Sequence, residues 1–237
     1  TVVQLLERSA IRIGNEEYVR ANGSFGLTTL KDRHVNVRGS TLRFEFRGKS
    51  GKSHTVSVDD RRLARIVKQC RDLPGQELFQ YVDEGHRRKV GSGDVNAYLK
   101  EITGEAFTAK DFRTWSGTEL ACAALRELCS SADWRPAGRS GRSSPAGHTK
   151  SRAATNREVL QAIDAVGGVL GNTRAGCRKY YIHPAIIDAY VEGTLQPICQ
   201  RSWASRPARA RGGLSPDEAA VVALLRGNTQ KIRKKAA

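Results

Sequence analysis

The stretch at positions 171–184, GNTRAGCRKYYIHP, combines a pair of tyrosines with a cluster of cations. Tyr181 stands nine residues after Asn172, and three cationic side chains lie between them: Arg174, Arg178 and Lys179. A phenol with an ordinary pKa of about 10 is a poor nucleophile at neutral pH unless positive charge favours its anion. Cations that favour the phenolate would also bind a phosphodiester. By itself, the stretch fits a basic helix with a packed tyrosine equally well.

The composition is that of a protein that faces a polyanion. The 237 residues include 40 Lys plus Arg against 24 Asp plus Glu, which gives a formal net charge of +16. Basic residues are spread along the whole chain, as expected for a broad cationic surface. Nucleic acid is the natural partner. We expect no membrane partner, because the sequence has no long apolar run or cationic amphipathic anchor.

Cysteine usage predicts neither a disulfide framework nor a metal site. The five cysteines are odd in number, widely spaced and without zinc-site spacing: Cys70, Cys122, Cys129, Cys177 and Cys199. Reduced thiols in a cytosolic protein are the best interpretation. The sequence shows no signal peptide or transmembrane segment. It begins at Thr1 and lacks methionine, which favours an excised domain or a processed fragment.

The N-terminal part is predicted to form one helix followed by a small sheet. Apolar residues recur at helical spacing over about 2–21, and alternating runs then predict about three antiparallel strands within 27–30, 34–37, 42–46 and 54–58. Residues 48–53, GKSGKS, resemble a phosphate loop, but Phe46 stands where that motif requires glycine, and a strand follows. A hairpin tip that displays Lys49 and Lys52 is the better interpretation.

Most of the remaining chain reads as helix. Capping residues and apolar periodicity predict helices after Asp60, after 91–93, after Thr108, over about 153–169, from Pro184 to about Val191, and a short one after Ser215. A segment rich in Ser, Gly, Pro and Arg predicts a flexible linker at 130–150. We expect 201–213 to be irregular and 231–235 to be disordered.

These patterns predict an α+β protein that is mainly helical, with a small antiparallel β-sheet near the N-terminus. Residues 1–58 supply the first helix and the sheet, and residues 59–196 supply the helical part. Residues 197–237 form a basic C-terminal extension with a short helix.

Four short motifs give the chain a family resemblance. In order they are IRIGN at 11–15 with Tyr18 and GLTTL at 26–30, FRGK at 46–49, TAKDFRTW at 108–115, and GNT at 171–173 with YIHP at 181–184. Together they resemble the catalytic domain of type IB DNA topoisomerases, in particular the poxvirus-like and bacterial branch. The resemblance covers about residues 5–190. It implies a tyrosine recombinase/type IB topoisomerase-like catalytic domain at 1–196 and double-stranded DNA as the partner.

The resemblance also implies a role for each site residue. Tyr181 would be the nucleophile that forms a 3′-phosphotyrosyl intermediate, and Lys49 would protonate the leaving oxygen. Three donors would stabilise the nonbridging phosphate oxygens: Arg12, Arg113 and Asn172. Further DNA contacts are expected from Lys52, Lys110, Arg174, Arg178 and Lys179. Such an enzyme needs no ATP, no obligatory metal ion and no other cofactor, and we expect a monomer in the cytoplasm, associated with the nucleoid.

Two features depart from the family pattern. Many members have histidine where this chain has Asn172, and an asparagine can donate a hydrogen bond but cannot carry a proton or a charge. Asparagine at this position is typical of the bacterial branch. The family's N-terminal domain, which closes over the opposite face of DNA, is not found in this sequence, so we expect a catalytic domain without its clamp.

Two alternative functions are also compatible with the sequence. A tyrosine recombinase or integrase shares the nucleophile and much of the fold, but such enzymes usually carry H-x-x-R around the second arginine. Here Lys110 stands at the histidine position before Arg113, which is similar to the topoisomerase pattern. The second alternative is a non-catalytic DNA-binding module whose basic residues only contact phosphates.

Overall fold

The structure, a computed structural model, describes residues 1–130, 151–204 and 213–236. These residues form two compact units, Thr1–Arg113 and Thr114–Ala237. The predicted fold class is confirmed, because the chain is mainly helical and its small antiparallel sheets lie in the N-terminal half. The predicted linker at 130–150 falls, after the helical residue Ser130, outside the described residues.

The N-terminal segment forms two helices, α1 (Val2–Ser9) and α2 (Glu16–Asn22). Our prediction of one helix over 2–21 is therefore wrong. Ala10 ends α1 in the left-handed conformation, with φ 51°. Residues 11–14 are not helical, and two of their carbonyls accept hydrogen bonds from residues 27 and 28. Leu27 N donates to Arg12 O at 2.7 Å, and Thr28 N donates to Ile13 O at 2.7 Å.

The sheet of the first unit contains three antiparallel strands, β1 (Val35–Arg38), β2 (Thr41–Arg47) and β3 (Ser53–Asp59), in the order β1-β2-β3. In β2, alternate side chains are buried: Leu42, Phe44 and Phe46. The prediction of about three strands is confirmed for these runs. The run at 27–30 is not a strand but a 3₁₀ turn, Leu27–Thr29, in which Gly26 N donates to the Thr29 hydroxyl at 3.0 Å.

The rest of the first unit contains α3 (Arg61–Arg71), a hairpin of β4 (Gln80–Asp83) and β5 (His86–Lys89), and α4 (Ser92–Thr103). Asp60 caps α3, because its carboxylate accepts from Leu63 N at 2.8 Å. Apolar side chains from α1, the sheet, α3 and α4 form one core, which includes Leu6, Phe44, Val67 and Leu99.

Helix α5 (Ala109–Ser130) begins in the first unit and continues into the second. The second unit then contains α6 (Arg152–Leu170), α7 (Arg174–Tyr180), α8 (Pro184–Val191), α9 (Leu195–Ala204) and α10 (Pro216–Ala236). Its buried side chains include Leu125, Ile163, Ile186, Tyr190 and Val221. Helix α8 matches its predicted bounds, and its proline stands at the first helical position.

The C-terminal region is more helical than predicted. Residues 201–204, expected to be irregular, belong to α9, which buries Leu195 and Cys199 one turn apart. Helix α10 begins as predicted with a Ser215 cap, since Glu218 N donates to the Ser215 hydroxyl at 3.1 Å. It is 21 residues long, however, and it includes residues 231–235, where we expected disorder. The remaining residues of the segment expected to be irregular, 205–212, lie outside the described part.

Within the described residues, no helix is long and apolar enough to cross a membrane. No group of three or more His, Cys, Asp or Glu side chains in the same residues is arranged to hold a metal ion.

Candidate active site

The backbone of the segment that carries Arg12 packs closely against the backbone at Gly26. A Cβ atom added to Gly26 would lie 2.6 Å from Arg12 O and 2.6 Å from Gly14 N, so only glycine fits there. Gly14 has a φ of 107°, which other residues rarely adopt. The motifs at 11–15 and 26–30 therefore form one rigid support, and Arg12 projects half-buried from it.

Arg113 is a buried cation at the N-terminal end of α5. Its side chain is only 4% exposed, and Nη1 donates to the carbonyl of Ala10. This bond ties Arg113 to the segment that leads directly into Arg12. An arginine stays charged when it is buried, so it remains a fixed positive charge.

Both predicted catalytic arginines act electrostatically on His54. Burial lowers the pKa of His54 below its ordinary value of 6.5, and three cations lower it further: Arg12, Arg113 and Lys52. The structure thus brings two of the predicted catalytic residues and one predicted DNA contact around a single imidazole. Sequence reasoning did not place His54 in the site.

Lys49 lies at the tip of the β2–β3 hairpin, as predicted, and is exposed. Its Nζ atom lies 5.6 Å from the ring centroid of Tyr18, within the range of a cation–π contact. The turn is closed by two backbone bonds, from Gly51 N to Gly48 O at 3.1 Å and from Gly48 N to Lys52 O at 2.8 Å. Lys52 shares this turn, and Lys110 is exposed on α5 about one turn before Arg113.

In the second unit, Tyr181 stands at the C-terminal end of α7 with a firmly held backbone. The Thr118 hydroxyl of α5 accepts from His183 N at 3.2 Å. Its one proton is shared between Thr114 O at 2.8 Å and Tyr181 O at 3.3 Å. A Cβ atom on Gly117 would lie 2.5 Å from Tyr181 O, so α5 approaches the tyrosine as closely as glycine allows. Tyr181 itself is half-buried, whereas Tyr180 is 53% exposed.

Asn172 lies between α6 and α7. Gly171 ends α6 with a φ of 62°, and Asn172 N donates to Gly167 O at 3.0 Å. Thr173 then caps α7 by accepting from Gly176 N at 3.1 Å. Asn172 and Tyr181 therefore flank α7, one at each end of a seven-residue helix.

The predicted DNA contacts of the second unit differ in their surroundings. Arg174 forms a bidentate ion pair with Asp164: Nε donates to Oδ1 at 2.7 Å, and Nη2 donates to Oδ2. The hydrogen bond from Arg174 lowers the pKa of Asp164. Arg178 and Lys179 are exposed, and Lys179 Nζ lies 5.2 Å from the Tyr180 ring centroid.

Sequence reasoning missed three residues that support the site: His54, Gly117 and Thr118. A glycine inside a helix costs about 1 kcal/mol relative to alanine, so its presence often indicates a close packing contact. Gly117 lies one helical turn after Arg113 and carries this signal. Nothing in the alternating pattern of β3 indicates that His54 reaches the turn at 48–51.

Comparison with known proteins gives two matches. The family described as eukaryotic DNA topoisomerase I, catalytic core, matches residues 1–198. DNA topoisomerase 1B of Acanthamoeba polyphaga mimivirus is 26% identical over 194 residues, which cover 80% of this chain and 53% of the viral protein. The chain thus spans about half the length of this relative.

Proposed function

Because the chain belongs to the family of type IB DNA topoisomerase catalytic cores, we propose that it relaxes supercoiled double-stranded DNA by cutting and rejoining one strand. The observation that carries the proposal is the buried guanidinium of Arg113, which is bonded to the Ala10 carbonyl at the start of the segment that carries Arg12. Both arginines act electrostatically on His54, which lies beside the Lys49 turn. Such a cluster of fixed cations suits a phosphodiester whose negative charge increases during reaction.

Tyr181 is the proposed nucleophile. Its phenolate attacks the phosphorus in line, forms a 3′-phosphotyrosyl bond and releases the 5′ oxygen of the next nucleotide. The strand stays attached to the protein, so the phosphoester bond is conserved for resealing by the reverse reaction. The bond from His183 N to the Thr118 hydroxyl and the close approach of Gly117 to Tyr181 O support this role, because they fix the backbone from which the phenol projects.

The two arginines are the proposed stabilisers of the transition state. Each guanidinium can donate two charge-assisted hydrogen bonds to the nonbridging oxygens, where negative charge accumulates. Asn172 adds a neutral donor. With this charge supplied by side chains, the proposed reaction requires neither ATP nor an obligatory metal ion.

Lys49 is the proposed general acid. The leaving 5′ oxygen would depart as an alkoxide, and a positioned acid that protonates it is typically worth about 10²–10⁴-fold in rate. Its place at the exposed tip of a hairpin suits a group that must reach into bound DNA. Exposed cations of each unit are proposed to contact DNA phosphates: Lys52 and Lys110 in the first unit, and Arg178 and Lys179 in the second.

Relaxation of a supercoiled plasmid in EDTA tests the proposal. We expect relaxed topoisomers without nucleotide or added metal, and a covalent protein–DNA adduct when the reaction is stopped with denaturant. The matched control, Tyr181→Phe, is expected to bind the plasmid without relaxing it. Retention of the plasmid by the wild-type protein without relaxation or adduct would contradict the proposal and would favour a non-catalytic DNA-binding module.

A further inference from the structure

His54 occupies the space beside the turn that carries Lys49. In the β2–β3 ladder, His54 is paired with Phe46, and their rings stack with centroids 5.3 Å apart and planes 13° apart. The imidazole also reaches the backbone of Gly48: a Cβ atom added there would lie 2.5 Å from His54 Cδ2 and 2.7 Å from Nε2. The ring therefore fills the position that a side chain at residue 48 would take.

This contact bears directly on Lys49, which is the next residue. The turn has an unusual backbone, since Ser50 and Gly51 both have positive φ values of 62° and 72°. A lysine side chain is flexible and loses rotamer entropy when it is held in one place. The direction in which it leaves the backbone is therefore an important part of its positioning, and residues 48–51 set that direction.

We propose that His54 is a positioning residue for Lys49: its ring, held between Phe46 and the Gly48 backbone, fixes the turn so that the lysine ammonium can reach the leaving oxygen. This inference rests on the proposed function, in which Lys49 is the general acid. His54 itself transfers no proton and acts only through the lysine.

The electrostatic surroundings agree with a supporting role. Burial and the nearby arginines lower the pKa of His54, so the ring is neutral around pH 7 and adds no positive charge beside Lys49. The other possible role for a histidine here is a direct contact to the scissile phosphate beside Arg12 and Arg113. The two roles predict different results when the leaving atom is changed.

The test compares two DNA duplexes that differ only at the 5′-bridging atom of a cleavage site mapped with the wild-type protein. One has the natural oxygen, and the other has sulfur, which leaves as a thiolate and needs no proton from an acid. We expect His54→Ala to form the covalent adduct about 10- to 100-fold more slowly than wild type on the oxygen duplex. On the sulfur duplex we expect it to regain nearly the wild-type rate, which also shows that the variant is folded.

His34→Ala is the matched control. His34 is a buried imidazole of the same unit that packs edge-on against Phe25, with ring centroids 4.4 Å apart, and it does not belong to the Lys49 turn. Its effect on the rate should be the same for both duplexes. If His54→Ala is equally slow on both duplexes, or is unimpaired on the oxygen duplex, the positioning role is wrong. If the wild-type protein cleaves neither duplex, the proposed function itself has failed.

A double-mutant cycle tests the contact between the ring and the turn. Gly48 has φ −97° and ψ −166°, so alanine can adopt its backbone and would clash only with the His54 ring. Gly48→Ala alone should slow adduct formation on the oxygen duplex. Combined with His54→Ala, which removes the ring, it should add little further loss, because residues in contact are not additive. Fully multiplicative losses would show that the contact does not position Lys49.

Discussion

Arg113 and Lys49 are both cations of the first unit, but the structure gives them different surroundings. Arg113 is 4% exposed and bonded to the carbonyl of Ala10, whereas Lys49 is exposed at a turn. A buried, oriented guanidinium suits stabilisation of charge that is fixed in position on the nonbridging oxygens. An ammonium at an exposed turn suits delivery of a proton to the leaving oxygen of bound DNA.

We therefore expect Arg113→Ala and Lys49→Ala to differ on the oxygen and sulfur duplexes. Arg113→Ala should lose about 10²–10³ in the rate of adduct formation on both, because charge develops on the nonbridging oxygens whichever atom leaves. Lys49→Ala should lose about 10²–10⁴ on the oxygen duplex and recover on the sulfur duplex. If Lys49→Ala is equally slow on both, Lys49 is not the general acid, and Lys110 becomes the next candidate.

His34 and His54 should make the stability of the fold depend on pH. Burial and nearby cations lower the pKa of both side chains in the folded protein. Below the ordinary histidine pKa of about 6.5 the unfolded chain therefore binds more protons, so stability is fully present above that pH and is lost as the pH falls through the lowered values. We expect the thermal midpoint of the wild-type protein to fall as pH decreases from about 7.5 to about 5.5.

The comparison variant for this pH dependence is His34→Gln/His54→Gln, whose thermal midpoint should change less with pH over the same range. Parallel curves for the wild type and the double variant would contradict the assignment.

Helix α5 carries a proposed catalytic residue near its start and two supporting residues one turn later. Arg113 lies near its start, and Gly117 and Thr118 follow one turn later against the backbone of Tyr181 and His183. The helix itself could be predicted from the Thr108 cap and its apolar residues. Its contact with the tyrosine could not, because that contact pairs residues far apart in the sequence.

Thr118→Val should slow adduct formation while DNA binding is retained. Valine keeps the shape of threonine but removes the hydroxyl that accepts from His183 N at 3.2 Å and lies 3.3 Å from Tyr181 O. A buried backbone group that loses its partner costs about 1–3 kcal/mol, and the loop that carries the nucleophile would be less well fixed. Thr118→Ser retains the hydroxyl and should remain close to wild type. Equal rates for the two variants, measured in a single turnover, would contradict this role.

At the level of elements, the strands and helices with clear patterns were predictable, and the exceptions have physical causes. Strand β2 alternates buried and exposed residues, and this pattern predicted it from the sequence. Strand β5, with the sequence HRRK, is exposed throughout and carries no apolar signal. The break between α1 and α2 depends on the left-handed Ala10 and on backbone bonds from 27–28, neither of which helical periodicity can reveal.

Across the whole molecule, the net charge of +16 predicts DNA binding that depends strongly on salt. Each phosphate neutralised on duplex DNA contributes about 0.9 to the slope of log affinity against log salt. We expect Arg178→Gln and Lys179→Gln to reduce the slope. Arg174→Gln should change it less, because Asp164 already pairs with that guanidinium. A slope near zero for the wild type, in titrations from low to moderate salt, would contradict phosphate-driven binding.

The central claim is that Tyr181 becomes covalently linked to the 3′ phosphate of the cut strand, and peptide mapping of the trapped adduct tests it most directly. After denaturation and digestion with trypsin, the peptide 180–201 contains both Tyr180 and Tyr181. We predict that tandem mass spectrometry will locate a 3′-linked nucleotide on Tyr181, and that Tyr180→Phe will give the same adduct. A nucleotide on Tyr180, or an adduct that persists in Tyr181→Phe, would contradict the account.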